Sequence, residues 1–218
     1  MKHIIDIDMW ERKDNFSFFQ GYANSWVSFT SEVDCTDAYH ASKSLGKSFF
    51  VYYLYAITRA VNEIKELKYR QDNAGNIAWY DQTDVITPIA VPGKTFYTVR
   101  IPYHKDFDEF YAEARRIIAS IPPEGDPYGT DKEIALRGDF DVFLLSATPK
   151  LYFTSINYTQ QCVGHPLDYP LMNAGKAIVR EGRRIMPIAL TVNHAFADGS
   201  HIALFFEKIE SILHEISR

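Results

Sequence analysis

A histidine-containing turn between a buried strand and an amphipathic helix is the strongest constraint on the fold of this 218-residue chain. Residues 185–192 read Ile-Met-Pro-Ile-Ala-Leu-Thr-Val, a run of apolar residues that is typical of a buried strand. Further on, apolar side chains recur at helical spacing and predict a last helix over 200–217. The segment between them, 193–199, reads Asn-His-Ala-Phe-Ala-Asp-Gly. His194 is therefore predicted at a strand end, where its backbone is held and its imidazole can transfer a proton near neutral pH.

The rest of the chain mixes strand and helix patterns without strict alternation. Helical spacing predicts helices over 49–69 and 106–121, the second with Asp106 as its N-cap. Strands are predicted at 26–33, 77–80, 95–101, 141–146 and 151–159, and a hairpin joins 176–179 to 184–192. The segment 122–138 is predicted as a loop because it opens with two prolines. These patterns indicate an α/β (α+β) fold, a mixed sheet flanked by helices, in one domain spanning residues 1–218.

Charge, hydropathy and cysteine content exclude several classes of function for this chain. The formal net charge of −5 argues against nucleic acid or an anionic membrane as the main partner. The sequence has no N-terminal secretory signal and no apolar stretch near the ~20 residues that span a bilayer, so a cytoplasmic protein is expected. Cys35 and Cys162 are the two cysteines, and no metal-ligand spacing is present, so no metal site is expected.

Four segments, in the same order along the chain, resemble motifs of the chloramphenicol acetyltransferases. Residues 193–201, Asn-His-Ala-Phe-Ala-Asp-Gly-Ser-His, resemble that family's His-His-Ala-Val-Cys-Asp-Gly-Phe-His. Residues 10–16 match its Trp-x-Arg-Lys-x-x-Phe, and residues 103–107 match its Tyr-His-x-Asp-Phe. Residues 145–155 resemble its Val-Ser-Ala-x-Pro-Trp-x-x-Phe-x-Ser, with Lys150 in place of the tryptophan. The resemblance covers nearly the whole chain and implies the CoA-dependent acyltransferase-like two-layer sandwich.

The resemblance also implies a reaction. The chain would be an acetyl-CoA-dependent O-acetyltransferase with chloramphenicol as the leading acceptor and no permanently bound cofactor. His194 would be the general base, and Ser146 would donate a hydrogen bond to the tetrahedral oxyanion. Asp198 would pair with Arg12 and hold the loop in shape, rather than contact the base. An arginine suits this role because its planar fork can bind a carboxylate through two parallel hydrogen bonds.

The acceptor pocket and the assembly follow from the same resemblance. Segment 21–29 corresponds to the family's acceptor-lining segment, so Tyr22, Trp26 and Phe29 are candidate substrate contacts. The family forms homotrimers with each active site between two subunits, the base coming from one subunit and most of the acceptor pocket from the other. A homotrimer with active sites at its subunit interfaces is therefore expected.

Other interpretations fit parts of the pattern. The His-x-x-x-Asp-Gly sequence also occurs in dihydrolipoyl acyltransferase cores, but those follow a lipoyl domain and linker, which we do not expect in a chain starting at Met1. A serine hydrolase would need a Gly-x-Ser-x-Gly turn, whereas Ser146 lies inside a strand-like run. An acetyltransferase for a different hydroxyl acceptor, and a non-catalytic small-molecule binder on the same scaffold, remain as alternatives.

Overall fold

The computed structural model describes residues 1–22, 24–93, 95–122, 124–158 and 169–218. The strands are β1 (Lys2–Ile4), β2 (Trp26–Asp34), β3 (Tyr69–Gln71), β4 (Ile77–Tyr80), β5 (Asp84–Ile89), β6 (Tyr97–Ile101), β7 (Val142–Ala147), β8 (Leu171–Ala174), β9 (Ile178–Arg180) and β10 (Arg183–Asn193). The helices are α1 (Lys13–Gln20), α2 (Thr36–Ser44), α3 (Phe49–Asn62), α4 (Phe107–Ala119), α5 (Gly129–Arg137) and α6 (Gly199–Glu215), with 3₁₀ turns at Ile7–Met9 and Lys65–Lys68. Within these ranges no helix has the length and apolar character needed to cross a bilayer.

The fold is built on a seven-stranded sheet. The sequence patterns predict a mixed sheet, and this is what the structure has. Its strand order is β2-β10-β8-β7-β5-β6, with β9 also paired to β10. The β5–β7 and β7–β8 pairs are parallel and the others antiparallel. Strand β10 pairs with β2 from Ile185 opposite Asp34 to Asn193 opposite Trp26, so the predicted buried strand ends directly before His194.

The two faces of the sheet differ because side chains alternate along each strand. On one face, Ile188, Leu190 and Val192 of β10 join the main core, against which α3 and α6 pack. Helix α3 is buried on nearly all sides, whereas α6 presents an apolar stripe that includes Phe205 and Ile209. The opposite face is partly covered by a smaller apolar cluster, formed by Ile86, Ile134, Phe140, Val142, Tyr169 and Leu171. The mixed sheet flanked by helices is therefore confirmed.

A third cluster joins the N-terminal segment to the turn after β10. Strands β1, β4 and β3 form a separate antiparallel sheet. Beside this small sheet lies an aromatic cluster of Trp10, Phe16, Tyr69, Ile77, Ala195 and Phe196. The Trp10 and Phe196 rings lie 6.4 Å apart, and the Phe16 and Phe196 rings stack at 6.0 Å. Residues distant in sequence thus fix the backbone immediately after His194.

The boundaries of two predicted segments are wrong. The helix predicted over 49–69 ends at Asn62, because Ile64 and Leu67 bury their side chains in a 3₁₀ turn and the chain then enters β3. The predicted loop 122–138 contains α5, which Ile134 anchors to the sheet and Gly138 terminates in the left-handed region at φ 71°. Two prolines end a helix, but they do not prevent the next one from starting a few residues later.

The strand predicted at 151–159 is absent over residues 151–158, and Thr159 lies outside the described residues. This segment lies beside the residues that join β8 to β9, where Lys176 N donates to Leu151 O at 2.8 Å. The ring of Phe153 packs directly on Gly175, where an added Cβ would lie 2.8 Å from it. The apolar residues of the segment therefore pack on the residues that join β8 to β9. Their alternation in the sequence looks the same as that of a strand.

Candidate active site

His194 directly follows β10, and contacts on both sides hold it. Its backbone N–H donates to Ser25 O at 2.8 Å. Its imidazole is half-buried and stacks on the ring of Phe19 from α1, with centroids 4.3 Å apart and an interplanar angle of 15°. Nδ1 is enclosed and has no hydrogen-bond partner among the described residues, which leaves Nε2 as the nitrogen that a substrate can reach. The ring plane is thus fixed while one nitrogen stays available for proton transfer.

The turn that follows His194 is closed by its neighbours. Asn193 Oδ1 accepts from Ala195 N at 3.0 Å, and Asn193 O accepts from Phe196 N at 3.0 Å. Ala195 and Phe196 are buried in the aromatic cluster, and Ala197 is buried in the main core. Three consecutive buried residues leave the backbone between His194 and Asp198 little freedom to move.

Arg12 and Asp198 form the ion pair that the resemblance implies. Arg12 Nη1 donates to Asp198 Oδ2 at 3.1 Å, and the arginine side chain is nine-tenths buried. Arg12 makes one of the two bonds that its fork could form, since Asp198 Oδ1 accepts from the Ser200 N–H and hydroxyl at the start of α6. Burial raises the pKa of Asp198, but the hydrogen bonds from Ser200 and Arg12 outweigh that effect and lower it to about 2. The carboxylate therefore stays ionised at neutral pH.

Ser146 lies on β7, in a row of paired residues that crosses the sheet. It pairs with Asn173 of β8, and Asn173 pairs with Ala189 of β10. His194 follows Ala189 by five positions, which is about 17 Å along the strand, and two strand spacings add about 10 Å across the sheet. The two Cα atoms are therefore roughly 19 Å apart within one chain, beyond the reach of both side chains together. One chain does not bring Ser146 and His194 together.

The row containing Ser146 includes a polar residue that the sequence analysis missed. Asn173 is 3% exposed, and its Oδ1 accepts from Thr148 Oγ1 at 2.8 Å. A buried amide is costly unless it is hydrogen-bonded, and this bond fixes its orientation beside Ser146. The sequence signal was the polar residue inside an apolar run at 171–174, which the predicted elements did not cover.

The three candidate acceptor contacts divide into two groups. Tyr22 is about half exposed, and its ring lies 5.6 Å from that of Phe19, the residue stacked on the base. Trp26 is half-buried opposite Asn193, at the end of β10. Phe29 lies three positions further along β2, on the opposite face of the sheet, and is 41% exposed. Tyr22 is therefore near the base of its own chain through Phe19. Trp26 is level with Asn193 in the pairing but packs against the smaller apolar cluster that includes Ile134 and Phe140, and Phe29 is three pairs further along.

Phe19 is a site residue that sequence analysis did not find. It belongs to a short helix with three phenylalanines, and its place beside His194 arises from the packing of α1 on the turn. As for metals, the described residues contain no cluster of His, Cys, Asp and Glu that could hold an ion. Cys35 is buried with a free thiol, and Cys162 lies outside the described residues.

The chain is similar to known proteins over nearly its whole length. The family model described as "Chloramphenicol acetyltransferase" matches residues 2–210. A solved structure of a chloramphenicol acetyltransferase is 53% identical, covers 98% of this chain and 100% of its own, and superposes with a TM-score of 0.94. A chloramphenicol acetyltransferase from Proteus mirabilis is 26% identical over 213 residues, which cover 97% of this chain and 94% of that protein. Dihydrolipoamide acetyltransferase from Azotobacter vinelandii, at 18% identity, 93% and 86% coverage and a TM-score of 0.61, shares the fold.

Proposed function

The chain belongs to the chloramphenicol acetyltransferase family, and from that premise we propose that it transfers the acetyl group of acetyl-CoA to a hydroxyl of chloramphenicol. It is an acyltransferase enzyme, so the non-catalytic binder is set aside. The observation that carries the assignment is the setting of His194, with its ring stacked on Phe19 and its Nδ1 enclosed, which leaves Nε2 to face the substrate. Acetyl-CoA acts as a co-substrate, and no permanently bound cofactor is part of the proposal.

In the proposed reaction, His194 Nε2 takes the proton of the acceptor hydroxyl. For Nε2 to accept a proton, the neutral imidazole must carry its own proton on Nδ1. The hydroxyl oxygen then attacks the thioester carbonyl, and the tetrahedral intermediate collapses to the acetyl ester and the CoA thiolate. The imidazolium returns its proton to that thiolate, so the base is regenerated in each turnover. A positioned base of this kind contributes on the order of 10²–10⁴ in rate.

Ser146 is the proposed donor to the oxyanion of the tetrahedral intermediate. Removal of one such preorganised donor typically lowers kcat by about 10²–10³. Because Ser146 and His194 are roughly 19 Å apart in one chain by strand spacing, both can act in one reaction only if a second copy supplies one of them. This distance supports a homotrimer with each active site between two subunits, the assembly implied by the family.

The Arg12–Asp198 pair is the proposed support of the catalytic turn. Only three residues separate Asp198 from His194, so a shift of the carboxylate moves the base. Tyr22 and Trp26 are proposed as acceptor contacts beside the base. Phe29, on the opposite face of β2, is proposed as a contact only through a neighbouring copy. Residues 1–218 are taken as one domain, and a cytoplasmic location is proposed because acetyl-CoA is an intracellular metabolite.

The test follows release of the CoA thiol with chloramphenicol as acceptor. Wild type should turn over with saturation in both substrates, and His194→Ala should lose about 10²–10⁴ in kcat. His104→Ala is the matched control, because His104 is a part-exposed histidine whose Nδ1 lies 3.7 Å from Glu109 Oε2. A His194→Ala enzyme as fast as wild type would refute the assignment of the base. Thiol release with other hydroxyl compounds, but not with chloramphenicol, would indicate an acetyltransferase for a different acceptor.

A further inference from the structure

A second histidine closes the N-terminus of α6 beside the catalytic turn. His201 is about four-fifths buried, in the first turn of the helix. Its Nδ1 accepts from the backbone N–H of Asp198 at 3.2 Å, while the Asp198 side chain caps the same turn through Ser200. This reciprocal arrangement is a capping box, in which the third helical position normally carries Glu or Gln. Here a histidine supplies the acceptor.

The other side of the His201 ring faces a distant part of the chain. Nε2 lies 3.7 Å from Glu66 Oε1, and Glu66 is itself only 22% exposed. Glu66 belongs to the 3₁₀ turn before β3, and the next strand residue, Tyr69, is part of the aromatic cluster that packs on Phe196. Since Nδ1 accepts from an N–H, the neutral ring carries its proton on Nε2, directed toward the Glu66 carboxylate. His201 thus connects the start of α6 to the packing that surrounds the turn.

Resting on the function proposed above, we propose that His201 is a positioning residue for acetyl transfer. Its Nδ1 accepts from the Asp198 backbone N–H, whereas the Asp198 carboxylate, whose Oδ1 lies 3.0 Å from that nitrogen, is held by the Ser200 N–H and hydroxyl. With the backbone held by His201 and Oδ1 by Ser200, Oδ2 is directed at Arg12. Loss of the His201 contact would free the Asp198 backbone, and the shift would reach His194 across three buried residues. A misplacement of the base by about 1 Å can cost on the order of 10² in rate.

The expected kinetic effect is selective. The acceptor contacts proposed above lie outside α6, Tyr22 in the segment before β2 and Trp26 at the start of β2. His201→Ala should therefore lower kcat by about tenfold or more while both KM values change less than about twofold. His201→Gln should recover most of kcat, because its side-chain oxygen can accept from the Asp198 N–H as in an ordinary capping box.

A matched control is available on the same helix. His214 lies in the last turn of α6, and its Nδ1 contacts Asp37 Oδ2 at 2.7 Å. His214→Ala thus removes another histidine–aspartate contact of α6, but one remote from the turn. It should leave kcat unchanged, whatever it does to thermal stability. Equal loss of kcat in His201→Ala and His214→Ala, or no difference between His201→Ala and His201→Gln, would overturn the proposal.

A second measurement tests the capping role of His201 independently of the proposed function. Hydrogen exchange of the Asp198 amide, followed by NMR, reports the His201 capping contact without any turnover. Protection should be lost in His201→Ala and kept in His201→Gln and His214→Ala. If wild type does not acetylate chloramphenicol but this pattern holds, the capping role stands and the proposed function fails. Unchanged protection in His201→Ala would overturn the capping role itself.

Discussion

Mixing two inactive variants gives the sharpest test of how the active site is assembled. His194→Ala alone should lose about 10²–10⁴ in kcat, and Ser146→Ala alone about 10²–10³. The roughly 19 Å between the two Cα atoms, from strand rise and strand spacing, means that no site can take both residues from one chain. A hybrid trimer therefore contains some sites in which the intact histidine of one subunit meets the intact serine of another.

The expected recovery follows from counting. With equal amounts of the two variants assembled at random, a site receives an intact histidine in half of the cases and an intact serine in half. About one quarter of all sites then carry both residues, so activity should rise to about a quarter of wild type. That is at least tenfold above either parent. If both residues of a site came from the same chain, every site would keep one lesion and the mixture would stay at the mean of its parents.

The assay compares the unfractionated mixture, expected at about a quarter of wild type, with isolated hybrid trimers of known composition, in which about one site in three is intact. The two variants are co-expressed with tags of different charge, separated by ion exchange, and assayed by CoA thiol release with chloramphenicol. Mixtures of separately folded homotrimers provide the control, since without subunit exchange they should show no recovery. Isolated hybrids that contain both subunits and remain as inactive as the parents would refute the shared site. They would also return Ser146 to the role of a half-buried strand residue with no part in catalysis.

Three further predictions concern single residues. Phe19→Leu should lower kcat about two- to tenfold in the thiol-release assay because the ring stacked on the base is lost, whereas Phe19→Tyr should stay near wild type; equal rates for Leu and Tyr would contradict this. Gly175→Ala should lower the free energy of unfolding by about 1–3 kcal/mol in urea denaturation, because the added Cβ would lie 2.7 Å from its nearest neighbour. Gly129→Ala, whose nearest atom is at 3.8 Å, is its control and should change stability far less. Burial raises the pKa of Asp72, but hydrogen bonds, the strongest from Lys2, lower it to about 2 from an ordinary 3.8. The contribution of Asp72 to stability should therefore be present above pH ~4 and be lost, by up to about 2 kcal/mol, toward pH 2, and Asp72→Asn should remove this part of the acid loss in pH-resolved melts.

The elements that the sequence predicted well share a strong local signal. The β9–β10 hairpin, the last helix and the capped helix α4 each have clear periodicity, and Asp106 caps α4 as predicted, accepting from Glu109 N at 2.9 Å. The short strands β1 and β3 were not predicted, because three residues are too few to show a period and both depend on β4 for their hydrogen bonds. Helix α5 was not predicted because its apolar content is low, and Ile134 is the one residue of this helix that is buried.

The site residues also fall into two groups, those with a local sequence signal and those that only tertiary packing places. His194, Arg12 and Asp198 lie in sequence motifs whose residue types indicate their chemical roles. In the structure, Arg12 and Asp198 are in contact. Phe19 and Asn173 carry no such signal, since each acts through a neighbour that only tertiary packing supplies.

Trp26 and Phe29 illustrate the remaining limit. Both are large aromatics in one segment, and composition alone makes them equal candidates for the acceptor pocket. Pairing of β2 with β10 separates them, because Trp26 lies opposite Asn193, next to the base, and Phe29 lies opposite Leu190, whose side chain points into the main core. A strand places side chains on alternate faces, so an odd separation of three positions assigns the two rings to different surfaces. In the trimer, Trp26→Ala should therefore raise the KM for chloramphenicol, whereas Phe29→Ala should do so only if the neighbouring copy brings that face to the site. Steady-state KM values for the two variants, each measured as the intact trimer, check this: an unchanged KM for Trp26→Ala would contradict its placement, and an unchanged KM for Phe29→Ala would remove that ring from the acceptor pocket.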